Sequence, residues 1–162
     1  RELRRYVGLL RRMPPAQVQS RSADLLQVLG LAGDADRLVV DYSAGMTKKI
    51  GLACALVHAP RLLILDEPFE AVDPVSRETI RSILRSFVDG GGTVVLSSHV
   101  MELVEQLCDH VAVIAAGRVI AAGAVEHLRG GIPLQQRFLD LLGADRLGEG
   151  ALPWLRSSSD SN

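Results

Sequence analysis

The sequence predicts an α/β protein in which a helical segment precedes a parallel-sheet core. Two short apolar runs, Arg61–Leu65 and Thr93–Ser97, are typical of strands that are buried on both faces of a sheet. The segment between them is predicted to be a helix from Pro74 to Val88, which three successive glycines close. A strand, a helix and a second strand in this order predict a right-handed parallel crossover unit.

Apolar residues at helical spacing predict three helices before the first strand. The predicted helices are residues 2–12, 16–29 and 44–58. After the second strand, we expect a helix and a third strand that extends the sheet, an edge hairpin that turns at Ala116–Gly117, and two further helices. These later elements are predicted at residues 100–108, 110–115, 124–129 and 134–142. The last residues, 144–162, lack any pattern and are predicted to be disordered.

Composition limits the class of protein. A chain of 162 residues can bury a core, and a formal charge of -1 gives no general attraction to nucleic acid or to anionic lipid. No apolar run reaches the length that crosses a bilayer, and no signal peptide opens the sequence. Cys54 and Cys108 are isolated, so we expect buried free thiols and a reducing, cytosolic setting.

Two acidic residues follow the first apolar strand directly. In open parallel sheets, ligands gather at the carboxyl ends of strands, which is where Asp66 and Glu67 lie. Asp66 is suited to hold Mg²⁺ through water, and Glu67 is suited to orient or deprotonate a water that attacks a phosphate. The alternative is that Asp66, Glu67 and Pro68 only solvate the strand end and begin a loop.

Two further polar positions fall near the same edge of the sheet. Asp73 and Pro74 form a typical helix start, which is a common structural device. His99 follows the second strand and could donate a hydrogen bond to a terminal phosphate, although a histidine there is more often a surface or capping residue.

The third predicted helix begins with small residues. Ser43 is a good N-cap, and Ala44 and Gly45 leave the backbone N–H groups of the first turn uncovered. Such a helix start can bind an anion. The alternative is an ordinary serine cap with a small residue for tight packing.

Together these segments resemble the ATPase subunits of ABC transporters over residues 1–123. The resemblance rests on the signature motif YSAGM, the Walker B strand LLILDEP, the D-loop EAVDP and the switch histidine of SSH. Tyr42, Ala44 and Met46 depart from the usual Leu-Ser-Gly-Gly-Gln signature, in a way that resembles ATPase subunits of bacterial ABC-2 type exporters. The resemblance implies a partial P-loop NTPase fold, with a helical subdomain and a parallel-sheet core.

The resemblance also implies a role for each motif residue. Asp66 would hold Mg²⁺ through water, Glu67 would be the general base, and His99 would contact the γ-phosphate of ATP. Asp73 would communicate across a dimer interface. The residues that would bind ATP held by a second subunit are Ser43, Ala44, Gly45 and Met46.

A P-loop requires the pattern G-x-x-x-x-G-K-[ST], and the only lysines, Lys48 and Lys49, do not follow a glycine. Because the chain also begins at Arg1 without a methionine, we expect it to be the C-terminal portion of an ABC ATPase subunit that cannot bind ATP alone. The expected divisions are a helical subdomain with the signature (1–57), a core portion (58–123), C-terminal helices (124–143) and the tail (144–162).

The function implied by the resemblance is ATP hydrolysis that powers transport, with export suggested by the signature variant. The expected partners are a second ABC ATPase subunit and membrane-spanning permease subunits, with no nucleic acid. The expected location is cytoplasmic and peripheral, on the inner face of the cell membrane. The alternative is a regulatory or soluble ABC protein without a hydrolytic role, which the presence of Glu67 disfavours.

Overall fold

The computed structural model describes residues 2–143, and the predicted disordered tail, 144–162, lies outside the described residues. The helices are α1 (Glu2–Leu10), α2 (Pro15–Val28), α3 (Ala44–Leu56), α4 (Pro74–Asp89), α5 (Met101–Leu107), α6 (Val125–Arg129) and α7 (Leu134–Leu142). The strands are β1 (Leu62–Leu65), β2 (Thr93–Leu96), β3 (His110–Ala115) and β4 (Arg118–Ala124), and two short 3₁₀ turns cover Ala32–Asp34 and Val39–Asp41. Contacts divide the chain into two compact units after His99.

The first unit contains the predicted strand–helix–strand segment. Strands β1 and β2 pair in parallel, with Leu62 opposite Thr93 and Leu65 opposite Leu96. Helix α4 connects them and contacts β2. The parallel pair, and with it the shared edge at which both strands end, is therefore confirmed.

The prediction that these strands are buried on both faces is wrong for the described residues. Leu63 is only 3% exposed, whereas Ile64 is 75% exposed and Val95, its partner on β2, is 52% exposed. Neighbouring residues of a strand point to opposite faces, so an apolar run does not by itself show that both faces are covered.

Both predicted helix starts are confirmed. The backbone of Ser43 is extended, and its hydroxyl accepts a hydrogen bond from the Met46 N–H at the start of α3. Asp73 caps α4 in the same manner through the Ser76 N–H, and Pro74 occupies the first turn. In each case the cap and its partner lie within three residues, so local sequence is sufficient to define the helix start.

In the second unit, β3 does not extend the parallel sheet as predicted. It pairs with β4 in an antiparallel sheet of their own. The predicted turn explains this pairing, because Ala116 and Gly117 have positive φ values of 48° and 73°. Two successive left-handed residues form the tight hairpin turn that brings neighbouring strands together antiparallel. The hairpin prediction is thus confirmed and the sheet extension is not.

Cys54 and Cys108 form no disulfide, as predicted, but both are partly exposed and not fully buried. Partial burial raises the pKa of the Cys108 thiol, and the nearby Asp109 carboxylate adds to the rise.

The divisions after residues 57 and 123 stay predictions. They separate parts of the chain by function, whereas the boundary after His99 separates groups of residues that contact one another.

Candidate functional site

A single serine hydroxyl joins the two acids at the end of β1. Because Leu65 lies opposite Leu96, the next residues of the two strands, Asp66 and Ser97, come together at the sheet edge. The Ser97 hydroxyl donates to Asp66 Oδ1 and accepts a hydrogen bond of 3.0 Å from the Glu67 N–H. Ser97 was not among the site residues predicted from the sequence, although the parallel pairing of the predicted strands was a signal that could have revealed it.

Glu67 has an unusual backbone conformation. Its φ of 44° lies in the left-handed region, which costs a residue other than glycine about 1–2 kcal/mol. Such conformations persist where surrounding contacts hold them, and they concentrate at functional sites. The side chain of Glu67 is 26% exposed, and its Oε1 lies 2.9 Å from Nδ1 of His99. The structure therefore brings Asp66, Glu67 and His99 into one hydrogen-bonded cluster.

The carboxylate of Glu67 changes the protonation of His99. The hydrogen bond with Glu67 raises the pKa of His99, and the negative charges of Glu67 and Glu70 add to the rise. His99 itself remains 70% exposed, so solvent can reach the imidazole ring. The cluster can therefore carry a proton on His99 at a higher pH than an ordinary histidine.

We expect this contact to make stability depend on pH. A raised folded-state pKa stabilises the protein fully below the ordinary histidine pKa, and the contribution is lost as the pH rises through the raised value. Glu67→Gln should therefore lower the melting temperature at mildly acidic pH, by at most a few degrees for so exposed a pair, and have less effect at alkaline pH. Thermal unfolding of both proteins at each pH measures this, and a difference that grows with pH would contradict it.

The start of α3 forms a second group of predicted residues. The Ser43 hydroxyl accepts a hydrogen bond of 3.2 Å from the Met46 N–H, and Ser43 and Ala44 are both exposed. A Cβ added at Gly45 would lie 3.0 Å from the carbonyl oxygen of Ala71, so glycine permits a close backbone approach there. The packing alternative therefore holds for Gly45, while Ser43 and Ala44 leave the helix start accessible.

The Asp73 side chain caps the start of α4. Its Oδ1 accepts a hydrogen bond of 2.9 Å from the Ser76 N–H, and the Ser76 hydroxyl accepts one of 3.2 Å from Lys49 Nζ. The hydrogen bonds from Ser76 lower the pKa of Asp73, and the charge of Lys49 lowers it further. Because Gly45 contacts Ala71 two residues before Asp73, the starts of α3 and α4 are linked through this backbone contact.

The residues at the end of β1 fit a magnesium ion held through water. Asp66 is exposed and supplies a hard carboxylate oxygen, and its hydrogen bond with Ser97 fixes the orientation of the carboxyl group. Mg²⁺ uses one or two carboxylates together with water and phosphate oxygens, so a single aspartate at a sheet edge suits it. The Glu67 carboxylate contacts His99 Nδ1, so Asp66 is the candidate ligand for the metal.

Comparison with known proteins identifies the fold and finds a matching family model over part of the chain. The ABC transporter family model matches residues 3–70. A solved structure described as the ATP binding subunit of an ABC transporter superposes with a TM-score of 0.82 at 26% identity, covering 87% of this chain and 61% of the other. CbiO1 from Clostridium perfringens, part of the ABC transporter complex cbiONQ, gives a TM-score of 0.60 at 27% identity, covering 81% of this chain and 53% of the other.

Two curated relatives are more similar in sequence. The daunorubicin/doxorubicin resistance ATP-binding protein DrrA of Streptomyces peucetius is 40% identical over 123 residues, which are 76% of this chain and 37% of the relative. The Nod factor export ATP-binding protein I of Cupriavidus metallidurans is 42% identical over 124 residues, which are 76% of this chain and 40% of the relative. The chain thus spans about two fifths of the length of these relatives.

The fold is that of an ABC ATPase domain, a form of the P-loop NTPase fold. The motifs in the sequence predicted this similarity to ABC transporter ATP-binding proteins, and the family match over residues 3–70 and the two relatives confirm it. In the part of the chain that the structure describes, no helix is long and apolar enough to cross a membrane.

Proposed function

We propose that this chain is the C-terminal portion of an ATP-hydrolysing subunit that powers export across a membrane. The observation that carries the proposal is the cluster at the strand ends, in which Ser97 joins Asp66 to Glu67 and Glu67 contacts His99. Export is supported by the name of one relative, the Nod factor export ATP-binding protein I.

The residues of the cluster have complementary roles in this proposal. Asp66 would hold Mg²⁺ through water, and the ion would neutralise charge on the phosphates of ATP. Glu67 accepts the proton of the attacking water, and the left-handed backbone at this residue keeps its carboxylate beside His99. Since His99 uses Nδ1 for Glu67, Nε2 is the nitrogen that would remain to donate to the γ-phosphate of ATP.

The start of α3 would bind the γ-phosphate of ATP held by a second ABC ATPase subunit. Backbone N–H groups and the positive end of the helix dipole attract an anion there, and Ser43, Ala44, Gly45 and Met46 form this turn. Asp73 would communicate across the same dimer interface. The other partners are membrane-spanning permease subunits, which place the protein on the cytoplasmic face of the membrane as a peripheral subunit.

The chain by itself should bind Mg-ATP weakly and release no phosphate from it. Its sequence contains no P-loop pattern, and the backbone cradle and lysine of that loop are what hold the β- and γ-phosphates. We expect a dissociation constant no better than roughly 1 mM, or about 4 kcal/mol of binding free energy.

Titration calorimetry and phosphate-release assays on the 162-residue chain and on a full-length subunit test both parts of the proposal. The full-length subunit is expected to bind and hydrolyse ATP in the presence of Mg²⁺. Micromolar binding by the 162-residue chain would overturn the assignment of the nucleotide site, and a full-length subunit without turnover would overturn the hydrolytic function.

A further inference from the structure

We propose that Lys48, on the signature helix α3, is a positioning residue that holds the backbone of Asp66 and Glu67 in place for hydrolysis. The hydrolytic part of this inference rests on the proposed function. Lys48 is two residues beyond the signature motif in sequence. Its contacts with residues 66–70, which we call the acidic turn, were not foreseen from the sequence.

The ammonium group of Lys48 has three oxygen partners in the acidic turn. Nζ donates to the backbone carbonyl oxygens of Glu67 at 3.0 Å and of Asp66 at 3.3 Å. It also lies 3.8 Å from Oε2 of Glu70. Of its three N–H donors, two serve the carbonyl oxygens, and the 3.8 Å approach to Glu70 is an ion-pair contact that is too long for a hydrogen bond. The Lys48 side chain is 34% exposed, and its stem is therefore largely covered by protein.

These contacts act on the residue whose backbone is strained. The N–H of Glu67 donates to Ser97, which directly follows β2, and the Glu67 carbonyl oxygen accepts from Lys48 and, at 3.2 Å, from the Glu70 N–H. The peptide groups on both sides of the left-handed residue are thus held by neighbouring elements. A strained conformation persists only under such constraint. Lys48 supplies the constraint that comes from α3, and it thereby helps to keep the Glu67 carboxylate at His99.

The first test is a nuclear magnetic resonance titration of His99 in the nucleotide-free full-length subunit, with Lys48→Met compared to the parent. Loss of positioning would separate Glu67 from His99, so the pKa of His99 should fall toward that of an ordinary exposed histidine. Removing a nearby positive charge without any loss of positioning would change the pKa of His99 in the opposite direction. A protonated imidazole is more stable when no cation lies near it, so the pKa would rise. The direction of the shift therefore distinguishes positioning from a general electrostatic effect.

Two variants serve as controls. Lys49→Met removes the same charge from the next residue, which donates to the Ser76 hydroxyl, and it should leave the pKa of His99 unchanged or slightly higher. Lys48→Arg keeps a cation with several donors, so the pKa of His99 should stay close to its value in the parent. If Lys48→Met does not fold, Lys48→Gln gives the same comparison with a smaller fall, because it retains a single amide donor group.

Steady-state kinetics supply the second readout. Lys48→Met should lower kcat by roughly 10- to 100-fold and leave KM for ATP unchanged, since misplacement of a reacting group reduces the rate and leaves nucleotide binding intact. An unchanged or higher pKa of His99 in Lys48→Met, or a lower pKa with normal kcat, would overturn the proposal. The titration needs no turnover, so it decides whether Lys48 positions Glu67 even if the hydrolytic function itself fails.

Discussion

Replacing Glu67 by glutamine in the full-length subunit is expected to lower ATP hydrolysis by about 10²- to 10⁴-fold while ATP binding stays intact. Glutamine has nearly the same shape but cannot accept a proton from water. The backbone contacts of residue 67 with Ser97 and Lys48 involve only main-chain atoms, so they can persist in the variant. Steady-state phosphate release and nucleotide titration measure the two effects separately.

The matched control for this experiment is Glu78→Gln. Glu78 is an exposed acid on α4 that pairs with Arg81 at 2.8 Å, and the same substitution there should leave hydrolysis at the parental rate. Near-parental turnover in Glu67→Gln would exclude Glu67 as the general base. A loss of ATP binding in that variant would instead assign Glu67 to nucleotide binding, which the proposal does not predict.

Placing a carboxylate at the start of α3 is expected to abolish ATP-driven dimerisation. Aspartate is as good an N-cap as serine, so Ser43→Asp should preserve the helix while adding negative charge where a partner's γ-phosphate would bind. ATP binding by each subunit should survive. Size-exclusion chromatography with ATP, in a Glu67→Gln background that prevents turnover, measures the dimer.

Ser43→Asn is the control for this substitution, because asparagine caps a helix equally well and carries no charge. It should dimerise with ATP, or do so far better than Ser43→Asp. Equal dimerisation of the two variants would mean that the helix start is a structural cap alone. Gly45 is less suitable for this test, since any side chain there meets the Ala71 carbonyl oxygen and could disturb the segment before Asp73 for steric reasons.

Sequence by itself determined the features of this protein that depend on neighbouring residues. Ser43 and Asp73 cap their helices through N–H groups three residues away, and the Ala116–Gly117 turn follows from the conformations of two adjacent residues. The strand periodicity and the acids that follow β1 are local in the same sense. These motifs, in their order, were sufficient to recognise the similarity to ABC transporter ATP-binding proteins.

Tertiary structure alone decided how the acidic turn is held and which apolar residues are covered. Lys48 reaches the carbonyl oxygens of residues 18 and 19 positions away, and the chain fold that brings them together has no local signature in the sequence. The same holds for the exposure of Ile64 in an apolar strand, which depends on what packs against each face of the sheet. Local patterns thus identify which groups could do chemistry, and long-range packing sets the geometry in which Glu67 meets His99.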